Sequence, residues 1–226
     1  MSIRLVISDE LILNGQLLRP MRAVMQSYGM VPWLLPVTTN HYQYFNTEHF
    51  AFLENDYNPM DISSTLEKGG ATRIKDFMNN EYTSQPNFFT APNTEFGSLA
   101  VQPPSVPHLH VIYSTGRNTE IGAYYKQEPG NVLTLDDSDR RSTKEAKNFI
   151  VEKGIRLETS ETYQSIDGTF NSGDSVVPYG SLAYFKKWQQ DYPNANITSK
   201  VLTNPDHNSI VKDPDFPNEI IKLISR

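Results

Sequence analysis

From Pro107 onward, short β-forming apolar runs alternate with amphipathic stretches, and turns rich in Gly, Ser or Pro separate them. This alternation constrains the chain most, because strands spaced by helices are joined as crossovers and favour a largely parallel sheet. His108-Leu-His-Val-Ile-Tyr113 reads as a buried strand closed by Ser114-Thr-Gly116. Ser142-Thr-Lys-Glu145 has capping-box spacing and, with Gly154 as a stop, predicts a helix between them. Arg156 to Asp167 predicts strand and turn. Leu182, Phe185 and Trp188, three apart, predict a helix over Gly180 to Gln190 with one buried face. Ile197 to Thr203 is a further strand, and Phe216 to Ile224 a final helix with Pro217 tolerated in its first turn. The expected class is α/β.

The upstream half reads differently. Arg19 to Tyr28 allows a short helix, and Val31-Pro-Trp-Leu-Leu-Pro36 is an extended apolar loop bounded by prolines. Residues 40–100 are aromatic and polar together, and Ile74, Phe77 and Met78 give helical spacing over Thr72 to Asn79. Glu81 to Gln102 reads as a loop or insertion. With 226 residues, 38% of them hydrophobic, the chain can bury the core of one large domain. A net charge of −6 argues against a nucleic-acid binder, which needs a basic face. The absence of cysteine excludes disulfides, zinc–thiolate sites and a cysteine nucleophile. Asp9 and Glu10 interrupt the first apolar run too early for a secretory signal, and no run approaches the roughly 18 apolar residues of a membrane span.

Two loops can carry chemistry. Gly168-Thr-Phe-Asn-Ser-Gly-Asp174-Ser-Val-Val-Pro178 presents an acid at a loop tip, and Asn204-Pro-Asp-His207-Asn-Ser-Ile210 presents an imidazole between a strand and the last helix. An acyl-transfer triad needs a histidine to take the nucleophile's proton and a carboxylate to fix that histidine's tautomer. In α/β-hydrolases the chain order is Ser, then Asp or Glu, then His. Asp174 and His207 have this order, with room for a helix and a strand in the 33 residues between them (207 − 174). Taken singly, each also fits a blander role, Asp174 as a turn former and His207 as a solvated loop residue.

Other candidates are weaker. His108 and His110 share a strand face, but no third metal ligand is evident. Asp136, Asp137 and Asp139 lack the Gly and distant Glu of an EF-hand and read as a solvated loop. His41 and His49 read as structural or exposed. No metal and no cofactor is expected. No Gly-x-Ser-x-Gly occurs; Ser181 follows the acid in chain order, and Ser114 lacks the elbow spacing. Asn196-Ile-Thr198 is a glycosylation sequon.

Several segments together resemble the lecithin:cholesterol acyltransferase-like family, nearest its lysosomal phospholipase A and phospholipid:diacylglycerol acyltransferase branches. Gly173-Asp174-Ser-Val-Val resembles the family's Gly-Asp-x-Thr-Val, with Val176 at the usual Thr. Ser181-Leu182 and Trp188 follow as in the family. His108 to Gly116, with Thr119 and Tyr124-Tyr125, resembles a strand ending in Tyr-Gly-x-Gly, with Ser114 at the first Gly. Val31-Pro-Trp-Leu-Leu-Pro36 resembles a Ser-x-Trp-Leu-Leu-Pro segment, and His207-Asn-Ser-Ile resembles the segment of the triad histidine.

The resemblance implies an α/β-hydrolase fold of which this chain is the C-terminal portion. Residues 1–104 would be lid, cap and acyl groove, residues 105–226 the last part of the core, and the N-terminal core strands would be missing. It implies Asp174 and His207 as triad acid and base, with the serine outside the chain. Trp33, Leu34 and Leu35 would bind substrate. The implied partners are a phospholipid or other lipid ester, a membrane or lipoprotein surface, and the missing N-terminal half. Family members are secreted, lysosomal or endomembrane-associated. Two rival readings are a non-catalytic lipid- or partner-binding remnant and an α/β-hydrolase using an atypical nucleophile such as Ser114.

Overall fold

A computed structural model of the chain describes residues 51–53, 58–60, 62–84, 103–129, 132–137, 149–160, 171–203 and 205–225. Trp33, Leu34 and Leu35, and the short helix expected from Arg19, lie outside the described residues, as do His41, His49 and Asp139. The chain divides into two compact units. One comprises Met1–Val101, Ile121–Ala146 and Val151–Arg156; the other comprises Gln102–Glu120, Lys147–Ile150 and Leu157–Arg226.

The first unit contains β1 (Ala51–Leu53), β2 (Asn58–Met60), α1 (Ile62–Lys68) and α2 (Thr72–Ser84). Leu66, Ala71 and Ile74 bury the facing sides of the two helices. The helix expected from Ile74 and Phe77 is present and runs on through Glu81 to Ser84, the start of the stretch expected as a loop. β4 (Thr119–Glu128) pairs in parallel with β1, Ala51 opposite Ala123, and antiparallel with β5 (Val132–Leu135), Tyr125 opposite Leu135. The sheet order is β2-β1-β4-β7-β6, where β6 is Ile150–Glu152 and β7 is Ile155–Glu158.

The helix expected to end at Gly154 is corrected over its described part. Residues 149–154 form β6 and a two-residue turn, Lys153-Gly154, leading into β7. Both turn residues have positive φ, 48° and 79°. That pairing is the signature of a tight hairpin whose twist matches the flanking strands. Gly154 is required there twice over: a Cβ would stand 2.6 Å from the Asp136 carbonyl oxygen, and its φ is left-handed. The physical reason for the difference is local. Ile150 and Val151 are β-branched and favour the pleated strand, and a glycine that could stop a helix also suits a hairpin.

The second unit is built on β3 (Leu109–Thr115) and β8 (Ile197–Thr203), which pair in parallel over seven residues from Leu109–Ile197 to Thr115–Thr203. Both strands fall where the sequence places them. Between them lie α3 (Tyr179–Leu182) and α4 (Phe185–Asp191), two short pieces rather than the single helix expected. The break at Ala183–Tyr184 is where hydrogen bonds tighten to i−3 spacing: Tyr184 N–H to Ser181 O, Lys186 N–H to Ala183 O and Lys187 N–H to Tyr184 O. Residues three apart then stay on one face. Tyr113, Tyr179, Ala183, Phe185 and Ile197 form the core, with Leu109, Val111, Leu182 and Trp188 against it. The Tyr113 and Phe185 rings meet edge to face at 5.4 Å.

A 3-10 turn (Ile210–Lys212) leads into α5 (Asp215–Ile224). His110 lies between this helix and the sheet. Its Nδ1 lies 2.7 Å from Thr198 Oγ1 on β8, and its Nε2 lies 3.5 Å from Glu219 Oε1 on α5. His108 Nε2 reaches the same threonine at 3.1 Å. The two histidines thus share a face, as expected, but converge on a hydroxyl. Among the described residues no group of three or more His, Asp or Glu side chains is arranged to hold a metal, and no helix is long and apolar enough to cross a membrane.

Candidate active site

The loop bearing Asp174 is built by its own backbone. After β3, Gly116 N–H donates to Ser172 O at 3.1 Å and Arg117 N–H to Gly173 O at 2.9 Å, so residues 172–174 run alongside the strand's exit in parallel. Asp174 Oδ1 then turns back on the chain, accepting the N–H groups of Val176 (3.1 Å) and Val177 (2.8 Å). This is the side-chain-to-backbone turn that favours Asp at such positions. Thr119 Oγ1 is fully buried; it donates to Arg117 O and accepts Ser175 N–H, both at 2.9 Å. The hydroxyl thereby holds the loop to the start of β4.

Ser175 carries φ of 82°, a left-handed backbone that costs a non-glycine residue about 1–2 kcal/mol. Ser175→Gly is expected to raise stability by about 1 kcal/mol, visible as a melting-temperature gain of roughly 2–4 °C. An unchanged or lower melting temperature would mean that the serine relieves its own strain.

The second loop is set by Asp206. Its Oδ1 accepts the N–H groups of Asn208 (3.0 Å) and Ser209 (2.8 Å), while Ser209 Oγ accepts the Asp206 N–H (2.9 Å). The hydrogen bond with the Ser209 side chain, then that from its backbone, holds the Asp206 carboxyl below its ordinary range, and the Arg117 charge adds to this. The reciprocal turn presents His207, which lies one residue along.

The two loops meet. His207 Nδ1 lies 2.9 Å from Asp174 Oδ2, and the His207 N–H donates to the Asp174 carbonyl at 2.8 Å. Asp174 is 4% exposed, whereas the His207 side chain is 45% exposed. An ionised carboxylate can only accept, so the bonded Nδ1 carries the proton. In neutral His207 the lone pair then sits on Nε2, which has no partner among the described residues. A buried acid thus holds an imidazole whose free nitrogen is open to accept a proton.

The other sequence candidates fall elsewhere. Ser114 is fully buried on β3 and its hydroxyl has no hydrogen-bond partner among the described residues. A nucleophile must reach both substrate and base, and the Ser114 hydroxyl makes no hydrogen bond to His207. Ser181 is exposed on α3. Asp136 and Asp137 stand at the end of β5 with no metal-holding group around them among the described residues.

One functional-site residue was not anticipated. Glu158, at the end of β7, is fully buried. Its Oε1 accepts the N–H of Gly173 at 2.7 Å and of Tyr179 at 2.6 Å. Burial pushes its carboxyl up to about 8, against the opposing pull of those two N–H groups and with help from the Asp174 charge.

A model of the family described as lecithin:cholesterol acyltransferase matches residues 10–214, a span that includes both Asp174 and His207. The chain belongs to the lecithin:cholesterol acyltransferase family. A comparison with curated proteins finds no match. Membership in the lecithin:cholesterol acyltransferase family associates the chain at the general level with acyl transfer or phospholipase chemistry on lipids. The mixed helices and strands, with β3 and β8 in parallel, agree with an α/β class.

Proposed function

We propose that this chain supplies the acid and the base of a serine acyl-transfer site acting on phospholipid or other lipid esters. The carrying observation is the 2.9 Å bond from His207 Nδ1 to buried Asp174, with Nε2 left open. His207 takes the proton of a serine hydroxyl as that oxygen attacks the ester carbonyl, then returns it to the leaving alcohol. Asp174 fixes the tautomer and stabilises the imidazolium. The acyl-enzyme is then resolved by water or by an acceptor alcohol, with His207 again as base.

The 226 residues contain no Gly-x-Ser-x-Gly, so in this reading the serine and its oxyanion hole come from outside them, together with further core strands. Residues 1–104 would be lid, cap and acyl groove, with Trp33, Leu34 and Leu35 lining the acyl chain. Residues 105–226 would form the last part of an α/β-hydrolase core working at a membrane or lipoprotein surface.

The test is acyl release or transfer from labelled phospholipid vesicles by the complete translated product of the gene. Product formation that requires His207 supports the reading. Vesicle binding with no acyl release would favour a non-catalytic lipid-binding role. Release that survives loss of His207 would move the chemistry to another base.

A further inference from the structure

The loop between Gly173 and Tyr179 is fastened at both ends to one side-chain atom. Glu158 Oε1 accepts the N–H just before Asp174 and the N–H that opens α3, at 2.7 and 2.6 Å. Asp174 and the turn it forms lie between these two points. Ser175 is held by Thr119, and Val176 and Val177 are held by Asp174 itself. The other oxygen, Oε2, is buried with no hydrogen-bond partner among the described residues. A carboxylate buried with half its acceptors unused is poorly solvated, and a neutral carboxyl in the same place forfeits less.

We infer that Glu158 is the positioning residue of the Asp174–His207 pair, clamping both ends of the acid's loop through one side-chain oxygen. The inference rests on Asp174 and His207 working as a pair. Glu158 touches neither substrate nor His207; it acts through the backbone that aims the Asp174 carboxylate. The titratable group facing it from the loop is Asp174. Tyr179 approaches it from α3 through its N–H, the phenol being bonded to Lys186 at 2.9 Å, and Arg156 stands two residues back along β7. Ionisation of Glu158 would tighten the two bonds it accepts and set a second buried negative charge beside Asp174. Burial holds its carboxyl neutral up to about pH 8, so the pair should be intact at neutral pH and perturbed above it.

The experiment uses the isotope-labelled full chain and amide NMR from pH 6 to pH 9.5. In the wild type, the Gly173 and Tyr179 amide resonances are expected to move with a common midpoint near pH 8. The His207 amide, bonded to the Asp174 carbonyl, should move with the same midpoint. Glu158→Gln keeps the accepting oxygen without the charge. Its spectrum should match the wild type at pH 6 and show no step near pH 8. Movement of Gly173 and Tyr179 without His207 would overturn the inference, because the clamp would then not reach the pair. The inference fails equally if Glu158→Gln keeps the step, or if the wild type has none. Asp174→Asn is the separate control: if the His207 ring-nitrogen shifts stay put in that variant, it is the pairing of Asp174 with His207 that fails.

Discussion

Alanine at His207 is expected to lower acyl turnover by the complete, active protein by about 10⁶-fold, and asparagine at Asp174 by about 10⁴-fold. The two losses differ for a structural reason. In the proposed reading, His207→Ala removes the group that takes and returns the proton. Asp174→Asn keeps the loop, because an amide oxygen can still accept from Val176 and Val177, which Asp174 Oδ1 now does at 3.1 and 2.8 Å. The amide nitrogen then faces His207 Nδ1 and donates to it. That reverses the tautomer and puts the proton on Nε2, where the base should be. Folding is not the confounder, since the His207 side chain is 45% exposed and truncating it opens little core. Single-turnover release from labelled vesicles reads both variants. Retention of more than a tenth of turnover in His207→Ala would remove this histidine from the chemistry. Equal losses in the two variants would mean that Asp174 does more than orient.

Asp174 and His207 stood out in the sequence as candidates because local chemistry marks them, and the structure brings the two side chains together. Each sits in a turn whose residues announce themselves, Gly173-Asp174-Ser175 and Pro205-Asp206-His207, and each follows a recognisable stretch in the expected order. Strands β3 and β8 were legible for the same local reason. Glu158 was not, because its environment reverses the usual rule. Along Ile155-Arg-Leu-Glu158 the polar residues are the buried ones, Arg156 at 7% and Glu158 at 0%, while Ile155 and Leu157 are partly exposed. Alternation fixes which residues share a face but not which face is inside, and polarity points the wrong way here. The signal was an ionisable residue in a strand upstream of the Asp174 loop, and its meaning depends on two N–H groups, 15 and 21 residues away. Thr119 was visible as part of a family pattern, yet its work, holding Ser175 across 56 residues, is equally non-local. The β6–β7 hairpin was missed because Gly154 fits a helix end and a tight turn equally well until the partner strand is known.

Alanine at Gly173 should be strongly damaging, costing roughly 3–5 kcal/mol and lowering the melting temperature by roughly 6–20 °C. Its Cβ would stand 2.0 Å from the Val177 carbonyl oxygen and 2.8 Å from Thr119 Oγ1. Neither neighbour can simply step aside. Val177 is held from both ends, its N–H on Asp174 Oδ1 and its carbonyl accepting the Asp174 N–H at 3.3 Å. Thr119 is fixed between Arg117 and Ser175. Gly173 itself is pinned through its N–H to Glu158 and its carbonyl to Arg117. Relief therefore means breaking two or more of these bonds, at about 1–3 kcal/mol for each buried group left unsatisfied. The atoms that must move are those that aim Asp174, so activity per folded molecule should fall as well. Gly154→Ala is the matched comparison. It meets the Asp136 backbone at 2.6 Å with a left-handed φ, so it should also destabilise, but its contacts do not include the Asp174 loop. Calorimetry with vesicle turnover separates the two cases. If both variants lose stability and only Gly173→Ala loses turnover per folded molecule, the tight packing around Gly173 serves to place the acid. If turnover tracks stability alike in both, it serves only the fold.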